Sequence, residues 1–209
     1  MAEFDWTILT DPTFVGGLRG QLGYSWWELD QRLDGITDDE FCWEPAPGAC
    51  IVRPRGHAIS PAPIGQGDYQ LDHGFDALDD GSSPSQPPLR TIAWLVGHLT
   101  EAFFERYEWT FGGKALRPDS LTFYPQAEPA IAALRHEVER WKDRIDSLTE
   151  EQAATVGLSQ ATEIDAQAPF GQLVLHMNRE LIHHGSEIMT LRDLYRVRSA
   201  RSQRGPKKA

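Results

Sequence analysis

The chain of 209 residues is 40% apolar and 10% aromatic with a net charge of −11, which is enough apolar material for a sizeable core. No run approaches the roughly 18 consecutive apolar residues of a membrane span, and the opening Met1-Ala2-Glu3-Phe4-Asp5 lacks the basic start and apolar stretch of a secretion signal. These features lead us to expect a soluble, cytoplasmic protein with no membrane partner, and so acidic a chain argues against nucleic acid as its main ligand.

The first helix is expected from Asp11-Pro12, an N-cap followed by proline, to about Asp34, with Val15, Leu18, Leu22, Trp26, Leu29 and Leu33 at spacings of three and four. Gly16, Gly17, Gly20 and Gly23 interrupt it and read as points of close approach by a neighbouring helix. Thr37-Asp38-Asp39-Glu40 has the pattern of a capping box and starts a short turn before Trp43. Residues 44–90 then hold eight prolines and six glycines with no regular apolar period, and are expected to be a long irregular insertion.

The second helix runs from near Thr91 to about Phe111, closed by Gly112-Gly113, with Ile92, Leu95, Val96, Leu99, Ala102, Phe103 and Tyr107 inward. The third spans about Glu128 to Leu148, with Ile131, Leu134, Val138, Trp141 and Ile145 on one face. Glu137, Glu139, Arg140, Lys142 and Asp143 fall on the other, solvated face. Thr149-Glu150-Glu151-Gln152 caps a short helix, and the fourth long helix follows Pro169 and reaches about Arg198. Strand patterns are poor, so the expected fold is all-α: a single four-helix bundle over residues 1–209 with the insertion between its first two long helices. The basic end, 199–209, reads as a solvated, frayed tail. Cys42 and Cys50 form no CxxC and read as free thiols. Small bundles often pair, so a homodimer is expected.

Of seven histidines, His57 and His73 lie in the insertion and His136 sits among charged neighbours as a solvated residue. His98 is beside the inward stripe of the second helix, where a lone His is more often a hydrogen-bonded core residue than a ligand. On the last helix, His176, Glu180 and His184 step by four and share a face bordering Leu173, Met177, Leu181, Ile188 and Leu191. Burying a carboxylate and imidazoles there costs several kcal/mol unless compensated. Glu180 and His184 have the i, i+4 spacing that chelates one ion, His176 is too far from His184 to join them, and His98 supplies a third donor. His98, Glu180 and His184 would leave open positions, as catalytic sites do. The other reading of these residues is a metal-free His–Glu–His hydrogen-bond network. His183 faces away and is positioned to pair with Glu187.

Thr91 to Leu99 (T-I-A-W-x-x-x-H-L) and Asn178 to Tyr195 (N-R-E-x-I-H-H-G-x-E-I-x-x-L-R-D-L-Y) resemble the DinB-like superfamily of metal-binding four-helix bundles over roughly residues 10–198. The likeness is greatest to its actinobacterial branch. Many members carry HxxxH on the last long helix, whereas here Glu180 replaces the first His. The DinB-like domain of mycothiol-dependent maleylpyruvate isomerases has the same His, Glu, His set.

The resemblance implies a divalent metal on His98, Glu180 and His184, with zinc expected and nickel, iron or manganese able to fill the same set. It also implies a low-molecular-weight thiol such as mycothiol as cosubstrate. A metal-stabilised thiolate would attack an electrophilic small molecule as a transferase or isomerase. The other functions open to such a chain are metal-dependent hydrolysis and a non-catalytic role in stress response or interaction. Arg53 and Arg55 in the insertion are candidates to meet substrate carboxylates, Trp43, Trp94 and Tyr69 to wall a pocket, and His176 to hold a ligand carboxylate. For the arginines and aromatics the plainer roles are solvation and core filling.

Overall fold

The computed structural model describes residues 3–60, 62–72 and 89–203, and His73 lies outside them. Four long helices make the fold: α1 (Phe14–Leu33), α3 (Ile92–Thr110), α4 (Ala127–Asp146) and α7 (Phe170–Gln203). Shorter helices α2 (Asp38–Phe41), α5 (Glu150–Ala154) and α6 (Glu163–Gln167) lie in the connections. In the bundle α1 packs on α4 and α7, and α3 packs on the same two helices. The periodic residues meet at the centre, where Leu18, Leu22, Leu95, Leu99, Phe103, Leu134, Val138, Trp141, Met177, Leu181 and Ile188 are all buried. No helix among the described residues is long and apolar enough to cross a membrane.

Local chemistry explains most helix ends. Thr149 and Gln152 exchange hydrogen bonds as a full capping box at α5, and Thr91 Oγ1 accepts from Trp94 N to open α3. The start of α1 differs from expectation. Thr13 is the N-cap, accepting from Gly16 N at 2.9 Å, while Asp11 turns back to accept from Thr13 N and Oγ1. A 3₁₀ turn over Trp6–Thr10 precedes it. At Gly20 a Cβ would come within 2.9 Å of Leu9 Cδ2, so the close neighbour is that turn rather than another helix.

The expected capping box at residue 37 is only half made. Thr37 Oγ1 accepts from Glu40 N, but the Glu40 carboxylate leaves the cap for Arg192 of α7, whose Nε donates to it at 2.7 Å. Both side chains are buried, and Arg192 also donates to the carbonyls of Arg32 and Asp34 at the end of α1. One guanidinium therefore satisfies orphan carbonyls of one helix and a buried charge of another.

The insertion is not wholly irregular. Ile51–Pro54 (β1) and Tyr69–Asp72 (β2) pair antiparallel with Ile51 opposite Asp72 and Pro54 opposite Tyr69. Four-residue strands with proline at one end give little periodic signal, so pairing across the loop had to be supplied by tertiary structure. Leu71 is fully buried against α3, where a Cβ on Gly97 would sit 2.8 Å from Leu71 Cδ1. Cys50 O accepts from both Thr91 N and Thr91 Oγ1 at 3.0 Å, tying the hairpin to the start of α3.

Two further expectations are corrected. Glu137 is buried rather than solvated and accepts from Arg140 at 2.8 Å. α7 continues to Gln203, so part of the presumed tail is helical, while residues 204–209 lie outside the described set.

Candidate metal centre

α3 and α7 lie side by side in the bundle, which brings His98 to Glu180 and His184. Exposure falls steadily along the α7 face: the His176 side chain is 35% exposed, Glu180 16% and His184 6%. This row therefore descends from the surface into the wall of the core. Asn178, fully buried, donates to Leu18 O at 3.0 Å and Gln21 Oε1 at 3.2 Å of α1, fixing the rotation of α7 about its axis.

One donor atom from each of His98, Glu180 and His184 lies within 4.8 Å of the others. Glu180 Oε2 is 3.2 Å from His184 Nε2 and 3.9 Å from His98 Nε2. The two rings are perpendicular with centroids 4.9 Å apart. Tetrahedral zinc with bonds of about 2.0–2.1 Å separates its ligand atoms by about 3.4 Å, a value that the two spacings to Glu180 bracket. The chemistry of the set fits as well: two imidazoles and one carboxylate, with the remaining positions left to exogenous ligands.

Behind each imidazole stands a second carboxylate. Glu101 Oε2 is 3.3 Å from His98 Nδ1, and Glu187 Oε2 is 3.6 Å from His184 Nδ1. A carboxylate facing Nδ1 favours a proton there, which with a metal bound would leave Nε2 free to ligate, the arrangement that raises ligand basicity in metal sites. Glu187 is in turn held by Arg90, whose Nε donates to Oε1 at 2.9 Å. Glu101 was missed in the sequence and Glu187 was assigned to His183, although each lies three residues after the histidine it faces, in His98-Leu99-Thr100-Glu101 and His184-Gly185-Ser186-Glu187. The repeated HxxE spacing was the signal available. Glu187 is engaged with His184 and Arg90 rather than with His183, which is exposed and stacks on His184 with centroids 4.7 Å apart.

Electrostatics match this geometry. Burial pulls the His98 imidazole toward neutrality, but the carboxylates of Glu101 and Glu180 outweigh it and raise the ring to about 9. The His98 ring beside it brings Glu180 down to about 2 against the opposing effect of burial, with help from Arg179. Burial raises Glu187, and His184 and Arg90 more than reverse that. The metal-free cluster is thus an imidazolium–carboxylate pair, and an incoming cation must displace the His98 proton.

The remaining candidates divide. Trp94 is buried and stacks on His98 at 4.8 Å with planes 13° apart, so it is core filling that also fixes one ring of the cluster. His176 Nδ1 lies 3.6 Å from Glu180 Oε1 and accepts from Arg179 Nη2 at 2.6 Å, which leaves the ring proton on Nε2. Burial lowers its pKa and favours the neutral ring. Arg53 and Arg55 do not reach the cluster. Arg53 donates to the buried Asp72 at 2.9 Å, and Arg55 to Gly67 O and Gly65 O, so both brace the hairpin. Trp43 packs on Tyr195, eleven residues past His184 and roughly 16 Å of helical rise away. Tyr69 packs on the core edge. His136 and His57 are exposed.

No curated protein and no solved structure matches the chain. The family model described as the DinB superfamily matches residues 21–188, a span that includes α3, the hairpin and the whole donor cluster. By that match this chain, with its His/Glu/His cluster between two helices of an all-α bundle, belongs to the metal-binding DinB superfamily.

Proposed function

We propose that the chain is a cytoplasmic, zinc-dependent enzyme that holds its ion on His98, Glu180 and His184 and uses a low-molecular-weight thiol of the mycothiol type. The reaction is S-transfer to an electrophilic carbon or thiol-assisted isomerisation, as in the actinobacterial, maleylpyruvate-isomerase-like branch of the superfamily. The observation that carries this reading is the open donor set with a dedicated carboxylate behind each imidazole. A purely structural site closes its coordination with four protein ligands, and among the described residues this one offers three.

A divalent cation held by His98, Glu180 and His184 would supply the Lewis acidity that favours a thiolate over a thiol at neutral pH. The protein's own thiols are unsuited to the role. Burial pushes Cys50 up to about 11 and raises Cys42, so the nucleophilic sulfur must arrive with a substrate. Glu101 and Glu187 aim the two rings, Trp94 excludes water from one face of His98, and His176 offers its Nε2–H at the exposed end of the row. In S-transfer the thiolate sulfur would form the new bond to carbon as the displaced group leaves with the old bonding pair, and in isomerisation it would add to carbon and later leave with the pair it brought.

Metal analysis of the purified protein followed by a thiol panel (mycothiol, bacillithiol, glutathione) against a simple alkylating electrophile tests the proposal. Stoichiometric zinc and metal-dependent consumption of one thiol are expected. Zinc without any thiol reaction would favour the non-catalytic metal-binding role, and hydrolysis without thiol would favour a hydrolase.

A further inference from the structure

The groove between α1 and α4 holds a cavity of about 630 Å³, within the range of small-molecule pockets. Because α1 and α3 each pack on both α4 and α7, this groove lies across the bundle from the one that carries His98, Glu180 and His184. The chain before α1 runs along that helix and borders the cavity from Glu3 to Ile8. Phe4 anchors it: its ring meets Trp6 edge-on at 5.1 Å and Tyr24 edge-on at 5.5 Å, and lies 5.4 Å from Trp27, centroid to centroid. Ile8 seats on Gly23, where a Cβ would come within 3.1 Å of Ile8 Cδ1. Phe4, Ile8, Trp26 and Trp27 thus give the cavity aromatic and aliphatic walls.

The lining also carries five carboxylates and two basic groups, Arg19 and Lys142, and both basic groups are engaged within the protein. Arg19 donates from Nε to Ile145 O at 3.0 Å and from Nη2 to Leu148 O, where α4 ends. Lys142 Nζ donates to Asp146 Oδ2 at 2.9 Å. Two further carboxylates are also held, Asp30 by Arg135 at 2.6 Å and Asp5 by the backbone and hydroxyl of Thr7. Glu139 differs. Its Oε1 accepts from the indole Nε1 of the buried Trp26 at 2.7 Å, a neutral donor, and the carboxylate forms no ion pair among the described residues. The indole fixes this charge against the aromatic wall and leaves Oε2 to accept from a further donor.

We propose that this cavity is a binding site for a protonated organic amine, its ammonium on Glu139 and its carbon skeleton against Phe4, Trp27 and Ile8. Aromatic rings carry negative potential on their faces, so walls that take an apolar skeleton out of water also favour a cation over an anion. A charge-assisted N–H···O bond to Glu139 adds to that preference and fixes the orientation of the ligand. The site is separate from the metal centre and does not depend on the metal-enzyme reading.

Calorimetric titration near neutral pH with three ligands of similar skeleton tests the assignment: phenethylamine, the neutral phenethyl alcohol and the anionic phenylacetate. The amine is expected to bind at least about tenfold more tightly than the alcohol, and phenylacetate not at all. Affinity for the amine should be the same in zinc-loaded and chelator-stripped protein. Glu139→Gln changes an exposed residue whose amide oxygen can still accept from Trp26. It should weaken the amine at least about tenfold and leave the alcohol unaffected. Phe4→Ala, which removes one wall outside the hydrophobic core, should weaken amine and alcohol alike. Should either variant fail to fold, the other decides. An amine that does not bind, binds no better than the alcohol or binds only the zinc-loaded form would overturn the proposal. So would binding of phenylacetate in its place, or an amine affinity that neither variant changes.

Discussion

The His98 ring makes the metal-free protein sensitive to mildly alkaline pH. Its pKa rises from 6.5 to about 9 on folding because Glu101 and Glu180 outweigh burial. Below pH 6.5 the ring is protonated in both folded and unfolded chains, and the folded state keeps the full benefit of the imidazolium–carboxylate contacts. Between 6.5 and about 9 only the folded state holds the proton, so stability declines with pH and the benefit is gone above about 9. A shift of this size corresponds to about 3 kcal/mol at most, and with the side chain 25% exposed about 1–3 kcal/mol is expected. Urea denaturation of chelator-treated protein at pH 6 and pH 9.5 measures it, with His98→Gln as control. The parent should lose this amount relative to the control. Zinc reverses the trend, because its uptake requires a neutral ring and releases a proton below about pH 9. Identical pH slopes in parent and His98→Gln proteins would refute the account of the cluster.

Other perturbations address the remaining parts of the structure. Glu101→Gln and Glu187→Gln should each lower zinc affinity about 10–100-fold with the fold intact, read by competition with a chromogenic chelator. Glu180→Gln should lose metal content while retaining its helical circular dichroism. Arg192→Ala strands the buried Glu40 carboxylate and the end of α1, and should cost about 3–5 kcal/mol in chemical denaturation. Gly97→Ala drives a methyl group toward Leu71 and should lower the thermal midpoint by displacing the hairpin, at a cost of about 1–3 kcal/mol.

The elements read correctly in advance are those whose cause is local. α3 and α4 each bury one face at a three-and-four spacing, and Thr91 and Thr149 act within three residues of themselves. Glu180 and His184 were legible for the same reason, being one turn apart on a single helix. Glu40 was read as closing the cap at Thr37 because it lies three residues on, and Glu137 was misplaced because a charged residue on a helix reads as solvated until its partner is known. For Glu40 that partner is 152 positions away. The hairpin was missed because Pro54 and two four-residue strands carry no period, and Arg53 was misassigned along with it.

From the amino-acid order alone came the four long helices, the apolar stripe of each, and the residue types able to hold a cation. Those depend on a rise and rotation per residue that are the same in every α-helix. Only the packed molecule decided that His98 faces Glu180, that Glu101 and Glu187 stand behind the two rings, and that Arg53 is held by Asp72 in the hairpin. Each of those results is a distance between side chains on different turns or different elements. It is set by how cores pack and how buried polar groups find partners, and no periodicity encodes it.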